Sequence, residues 1–175
     1  NFIQDQYAIL SGYVVSMLVT PTFFCTIIYR LYLPIATDDL YYHKSNTFLH
    51  LLYALLICFL IGLPFTLIFY FFPKRSLMIL YNTTSGYQQL KYMSFPFLLF
   101  YLQTPLSTIL QAKNKNKVMF IISMIECTLE IILTYTLSHY LYVNAILISL
   151  FTGLITTLTL SAIYCFKIIK DTSLS

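Results

Sequence analysis

From Phe48 to Phe72 the chain runs for twenty-five residues without one Asp, Glu, Lys or Arg. A helix needs about 20 mostly apolar residues to cross a hydrocarbon layer ~30 Å thick, so this stretch reads as a transmembrane span. Four further stretches meet the same requirement: Tyr7–Leu33, Tyr92–Ala112, Val118–Ser138 and Tyr142–Phe166. A closed β-barrel is the other architecture that satisfies every backbone polar group inside lipid. It would show short segments of strict alternation, and these long unbroken runs do not alternate. The sequence therefore predicts an all-α polytopic transmembrane helix bundle of about five spans, with residues 1–175 as a single membrane domain. Charged residues make up 9% of the chain and apolar residues 59%, whereas soluble domains carry about 25% charge. Most of the surface must therefore face lipid.

Polar linkers separate the spans and set their orientation. The first is Pro34–Thr47, with Asp38, Asp39, His43 and Lys44. The second is Pro73–Lys91, and the third is the run KNKNK, Lys113–Lys117. The fourth, near His139–Tyr140, is so short that the last two spans must form a tight antiparallel hairpin. Within the second linker, Ser76–Tyr81 is apolar but too short to span. It reads either as an interfacial segment with Tyr81 at headgroup level or as an ordinary amphipathic loop. Arg30, Lys44, Lys113, Lys115, Lys117, Lys167 and Lys170 gather on one side, and Lys74, Arg75 and Lys91 on the other. The positive-inside rule places the larger group in the cytoplasm, with the N-terminus of the segment outside and its C-terminus inside. Membrane topology thus accounts for the net charge of +4 without nucleic acid. The bias toward Phe, Tyr, Ile, Leu, Asn and Lys is that of an AT-rich coding sequence and points to a bacterial plasma membrane. Asn1 opens the chain with no basic region and cleavage site behind it. An odd number of spans starting outside is expected of a segment cut from a longer protein.

Ionisable and polar groups at membrane depth are costly and mark candidate sites. Glu126 and Glu130 lie mid-way along the fourth span, one turn apart and on one face. Two such carboxylates repel unless a proton or cation intervenes. The functional reading is a proton, sodium or substrate-coupling site facing a wet cavity. The structural reading is a hydrogen bond to a neighbouring helix. Ser11, Ser16 and Thr20 form a polar stripe on the first span, either lining a path or bonding their own backbone. Arg30, near that span's inner end, reads as a snorkelling anchor or a contact to an anionic phosphate. Gln103 stands beside Thr104 and Pro105, where it can bond a carbonyl freed by the proline or face a cavity. Pro21, Pro64, Pro96 and Pro105 each remove a backbone bond and can kink a span.

Catalysis and cofactors find little support. Cys25, Cys58, Cys127 and Cys165 sit singly in apolar runs, as small fillers. His43, His50 and His139 have no zinc or haem spacing, and no HExxH, GxSxG or Walker pattern occurs. A glutamate-based intramembrane protease would want a histidine or arginine partner at helical spacing, and none accompanies Glu126 and Glu130. No enzyme activity, metal or cofactor is expected.

The order of several short patterns resembles a known family. These are Tyr7-Ala8-Ile9-Leu10-Ser11-Gly12, Pro21-Thr22, Leu33-Pro34, Gly62-Leu63-Pro64 and Leu80-Tyr81. They continue with Tyr101-Leu102-Gln103, Ile109-Leu110-Gln111-Ala112-Lys113 and the run from Glu130 to Leu137. From about Tyr7 to Phe166 the chain resembles stage V sporulation protein B-like polysaccharide-biosynthesis flippases. These belong to the multidrug/oligosaccharidyl-lipid/polysaccharide exporter superfamily, which includes the lipid II flippases. It departs from their pattern at Ala8, Ile9, Ser16 and Ala112. The resemblance implies spans eight to twelve of a two-bundle transporter whose N-terminal bundle is the missing partner. The implied substrate is an undecaprenyl-linked saccharide, moved by alternating access.

Under this reading Glu126 and Glu130 are candidates for ion coupling. Ser11, Ser16, Thr20 and Gln103 are candidates for the cavity wall, and Arg30 for a phosphate contact. A multidrug exporter of the same superfamily is the near rival. A non-transporting membrane scaffold or truncated relic is the rival from another class, and it predicts Glu126 and Glu130 buried against neighbouring helices.

Overall fold

The computed structural model describes residues 2–42, 46–141 and 143–174. His43, Lys44 and Tyr142 lie outside the described residues. Among the described residues the chain is helix and turn without strand. Helix α1 (Phe2–Ile9) runs into a π-helical stretch (Leu10–Val15) and a short α2 (Ser16–Val19). Then follow α3 (Thr22–Tyr41), α4 (Thr47–Phe71), α5 (Pro73–Tyr81), α6 (Tyr87–Ala112), α7 (Asn116–Leu141) and α8 (Val143–Leu174). Helices α4, α6, α7 and α8 are each long and apolar enough to cross a membrane. Residues 7–19 and 22–41, bent by 41° to each other, are long and apolar enough for a fifth span when taken together. The protein is an all-α polytopic membrane bundle.

The bend has a local cause. Pro21 lacks the N–H that would bond the Met17 carbonyl. On either side, threonine hydroxyls compete for backbone carbonyls: Thr20 Oγ1 donates to Ser16 O (3.0 Å) and Thr22 Oγ1 to Val19 O (2.6 Å). Pro64, Pro96 and Pro105 instead lie inside continuous α4 and α6.

Pro34 does not close the first span, contrary to the sequence expectation. Helix α3 continues through it to Tyr41 and carries Asp38 and Asp39. Tyr32, Ala36, Asp39 and Leu40 are buried at helical spacing, and packing of that stripe outweighs the single lost hydrogen bond. Arg30 consequently lies eleven residues, about 16 Å at 1.5 Å per residue, from the helix end.

The second linker is also more ordered than a loop. Pro73 occupies the first turn of α5, where its missing N–H costs nothing, and Asn82 ends the helix at φ 51°. Gly86 then adopts φ +85°. A Cβ there would meet Ile9 Cγ2 at 2.7 Å, so the glycine supplies both the turn and the close approach to the first helix. Between α6 and α7, Lys115 N–H donates to Leu110 O and Asn114 N–H to Gln111 O, both at 2.8 Å. Asn114 is left-handed at φ 55°. This is a Schellman closure, so the KNKNK run is a turn as well as a charge cluster. His139 and Tyr140, expected in the last linker, lie within α7.

Helix α6 is the hub. Half of its apolar stretch is buried, against 6% for α7. At one end Leu90, Met93 and Phe97 pack on Leu10, Val14 and Leu77. At the other end Leu106, Ile109 and Leu110 pack on Tyr32, Leu51 and Cys165. Between these clusters Tyr101 closes over Cys25 and Cys58. Helix α8 presents Ala145, Ser149, Gly153, Thr157, Ser161 and Cys165 at every fourth position, and all six are buried. Small residues at this spacing let membrane helices approach closely, and α8 meets both α6 and α7.

Candidate functional site

The α7–α8 seam contains both membrane glutamates. Thr134 Oγ1 and Ser149 Oγ share a hydrogen bond of 2.7 Å. One turn along, Glu130 lies against Gly153, where an added Cβ would come within 2.5 Å of Glu130 Oε1 and 3.0 Å of its Cγ. One turn further, Thr157 is within hydrogen-bonding reach of Glu126. Each step moves four residues up one helix and four down the other, which is the register of an antiparallel pair. Both carboxylates are half-buried, and α8 lines them with hydroxyls. Thr157 Oγ1 also reaches Gly153 O (2.9 Å), and Thr156 Oγ1 reaches Thr152 O (2.7 Å). No Lys or Arg occurs between Val118 and Phe166, so no basic side chain on these two helices neutralises the pair at that depth. Two carboxylates among hydroxyl oxygens can hold a proton or a small hard cation. Among the described residues no group of three His, Cys, Asp or Glu converges as a metal site.

The stripe on the first span faces outward. Ser11, Ser16 and Thr20 are exposed, while Leu10, Val14, Met17 and Leu18 pack inward. Each hydroxyl bonds its own helix: Ser11 Oγ to Tyr7 O (2.9 Å), Ser16 Oγ to Ser11 O (3.4 Å) and Thr20 Oγ1 to Ser16 O (3.0 Å). The i+5 step from Ser11 to Ser16 matches the π-helical stretch that separates them, and such stretches recur at functional sites. Arg30 is exposed and Gln103 half-buried. Among the described residues no hydrogen bond joins Gln103 to a proline-freed carbonyl, and none joins Gln103 or Arg30 to the stripe. The candidates therefore form two separate regions: the seam, and the outward face of the first span.

Three polar contacts escaped the sequence reading. Tyr101 Oη donates to Leu18 O at 2.7 Å, deep in the bundle. Tyr29 Oη bonds Gln111 Oε1, tying α3 to α6. Asp39, 2% exposed, meets His50 Nδ1 at 2.5 Å across the α3–α4 connection. The sequence signal for the last was present. Asp39 falls in register with the apolar positions Tyr32 and Ala36, so a helix continued past Pro34 buries it. The four-residue recurrence of small residues on α8 was equally readable. Cys25, Cys58 and Cys165 are buried, whereas Cys127 is exposed on α7.

No protein-family model matches this chain, and no curated protein or solved structure does so either. Its chemistry rests on its own residues.

Proposed function

We propose that this chain forms one bundle of a bacterial transporter that moves lipid-linked saccharide precursors across the plasma membrane, rocking against a second, facing bundle. The carrying observation is the broken first span. It combines a π-helical stretch, a 41° bend at Pro21 and an outward row of hydroxyls. Interrupted helices are tolerated in lipid where they line a cavity, and transporters build midplane sites from them. The substrate class rests on the resemblance running from Tyr7 to Phe166. Glu126 and Glu130 supply the coupling site, taking up a proton or sodium ion between α7 and α8. Arg30, exposed on α3, attracts the anionic headgroup.

The test is complementation. The gene product carrying this sequence is expressed in a strain depleted of its lipid-linked saccharide flippase, and labelled precursor reaching the outer leaflet is measured. Restored translocation supports the reading, while normal membrane insertion without translocation sinks it. The carboxylate pair also suits a hydrophobic cation, so drug accumulation in an efflux-deficient strain distinguishes the multidrug exporter.

A further inference from the structure

The side of the bundle with few basic residues places all three of them in one bowl. Helix α4 ends at Phe71, α5 turns away at Pro73, and α6 begins at Tyr87. These elements enclose an open concavity of about 510 Å³, the size of a small-molecule site. Its lining includes Lys74, Arg75 and Lys91 over Tyr70, Phe72 and Tyr87. The cations are held by the rings: Lys74 Nζ is 4.5 Å from the Tyr87 centroid, Lys91 Nζ 5.1 Å from Tyr70, and Arg75 Cζ 5.9 Å from Phe72. All three are exposed, and none makes an ion pair among the described residues. Three convergent positive charges without an acidic partner repel one another, so the site favours an anion. The opening amides of α5 have no intrahelical acceptor and add to that preference.

We propose that this bowl binds the phosphate of an anionic membrane lipid. Its position selects a lipid over a dissolved ion. It lies where an apolar span gives way to Tyr70, Tyr81, Tyr87 and Tyr92, the kind of aromatic belt that sits at headgroup level. Helix α5 buries Pro73, Ser76 and Leu77 and exposes Met78, Ile79 and Leu80, as an interfacial helix does when its apolar face enters the acyl boundary. Arginine forks onto phosphate oxygens, and lysines supply point charges. The aromatic floor suits the glycerol and upper acyl carbons. This inference is independent of any transported substrate.

Lipid retention on the purified full-length protein, measured by native mass spectrometry, tests it. The probes are phosphatidylglycerol and phosphatidylcholine with matched chains. Three basic groups near one phosphate should give at least about tenfold selectivity for phosphatidylglycerol. The triple variant Lys74→Gln, Arg75→Gln, Lys91→Gln should lose it. The variant Lys74→Arg, Lys91→Arg should keep it, which guards against misfolding. Replacing Lys113, Lys115 and Lys117 with Gln at the opposite end should also leave it intact. Undiminished selectivity in the triple Gln variant would overturn the proposal. Release of phosphatidylglycerol by millimolar inorganic phosphate would overturn the assignment to a lipid and give the site to a soluble phosphate.

Discussion

Tyr101 Oη donates a 2.7 Å hydrogen bond to the Leu18 carbonyl, joining the central helix to the turn just before the first span breaks. The phenol is 1% exposed, and its ring lies so close over Gly62 that no Cβ fits there. A carbonyl loosened by the break at Pro21 is therefore satisfied from α6 instead of by its own helix. On either side of the break, the Ser16 and Val19 carbonyls accept from the Thr20 and Thr22 hydroxyls.

Tyr101→Phe removes that donor without changing the packing. Interhelical hydrogen bonds in membranes contribute about 0.6–2 kcal/mol, and a loss in that range is expected from reversible unfolding in mixed micelles. Unchanged stability would show that the Leu18 carbonyl finds another donor.

Gly153→Ala separates helix propensity from steric fit. Alanine gains ~1 kcal/mol over glycine in a helix interior, but here its Cβ meets Glu130. The substitution should destabilise the native protein and stabilise a Glu130→Ala background. The sign reversal is the readout, in thermal unfolding of the four members of the cycle. Simple additivity would mean that Glu130 does not occupy the notch.

Asp39→Ala leaves His50 without its buried acceptor. The His50 side chain is 38% exposed, so water screens part of the interaction, and a cost of about 1–3 kcal/mol is expected. His50→Gln should cost less, because glutamine can still donate. Equal losses from the two single variants would point to packing as their common cause.

Glu126→Gln and Glu130→Gln keep size and hydrogen-bonding capacity while abolishing charge. Folding should be retained, while on the proposed coupling role ion-dependent transport in reconstituted vesicles should fall at least about tenfold. Full activity in the double variant would remove the coupling role from this pair.

Hydropathy located the spans well because it senses the requirement that defines them. The expected Phe48–Phe72 differs from α4 by one residue at each end. It cut the other helices short wherever a charge appeared. Helix α6 starts five residues before Tyr92 and takes in Lys91, and α8 runs past Lys167 and Lys170. Backbone hydrogen bonding does not stop at the membrane surface, and at 1.5 Å per residue α8 is about 48 Å long. Which proline would break a span was not legible. Pro21 and Pro64 look alike in sequence, and only the first is flanked on both sides by hydroxyls that take over carbonyls. Asn114 was read for its neighbours' charge, although its tolerance of a left-handed backbone closes the turn. The glutamate pair was found from its cost in lipid, but its packing on Gly153 and Thr157 needed the helix pairing.

The four-residue recurrence on α8 makes the seam a row of similar berths about 6 Å apart. Moved by one berth, Glu130 would face Thr157, Glu126 would face Ser161, and Thr134 would face Gly153. Each carboxylate would again lie beside a small or hydroxylated residue. Only Gly153 lacks the Cβ that would meet Glu130, so this one glycine picks the alignment along an otherwise repeating seam. Cysteine pairs at 134/149 and 134/153 would report which alignment is occupied, and Gly153→Ala should shift the balance toward the second.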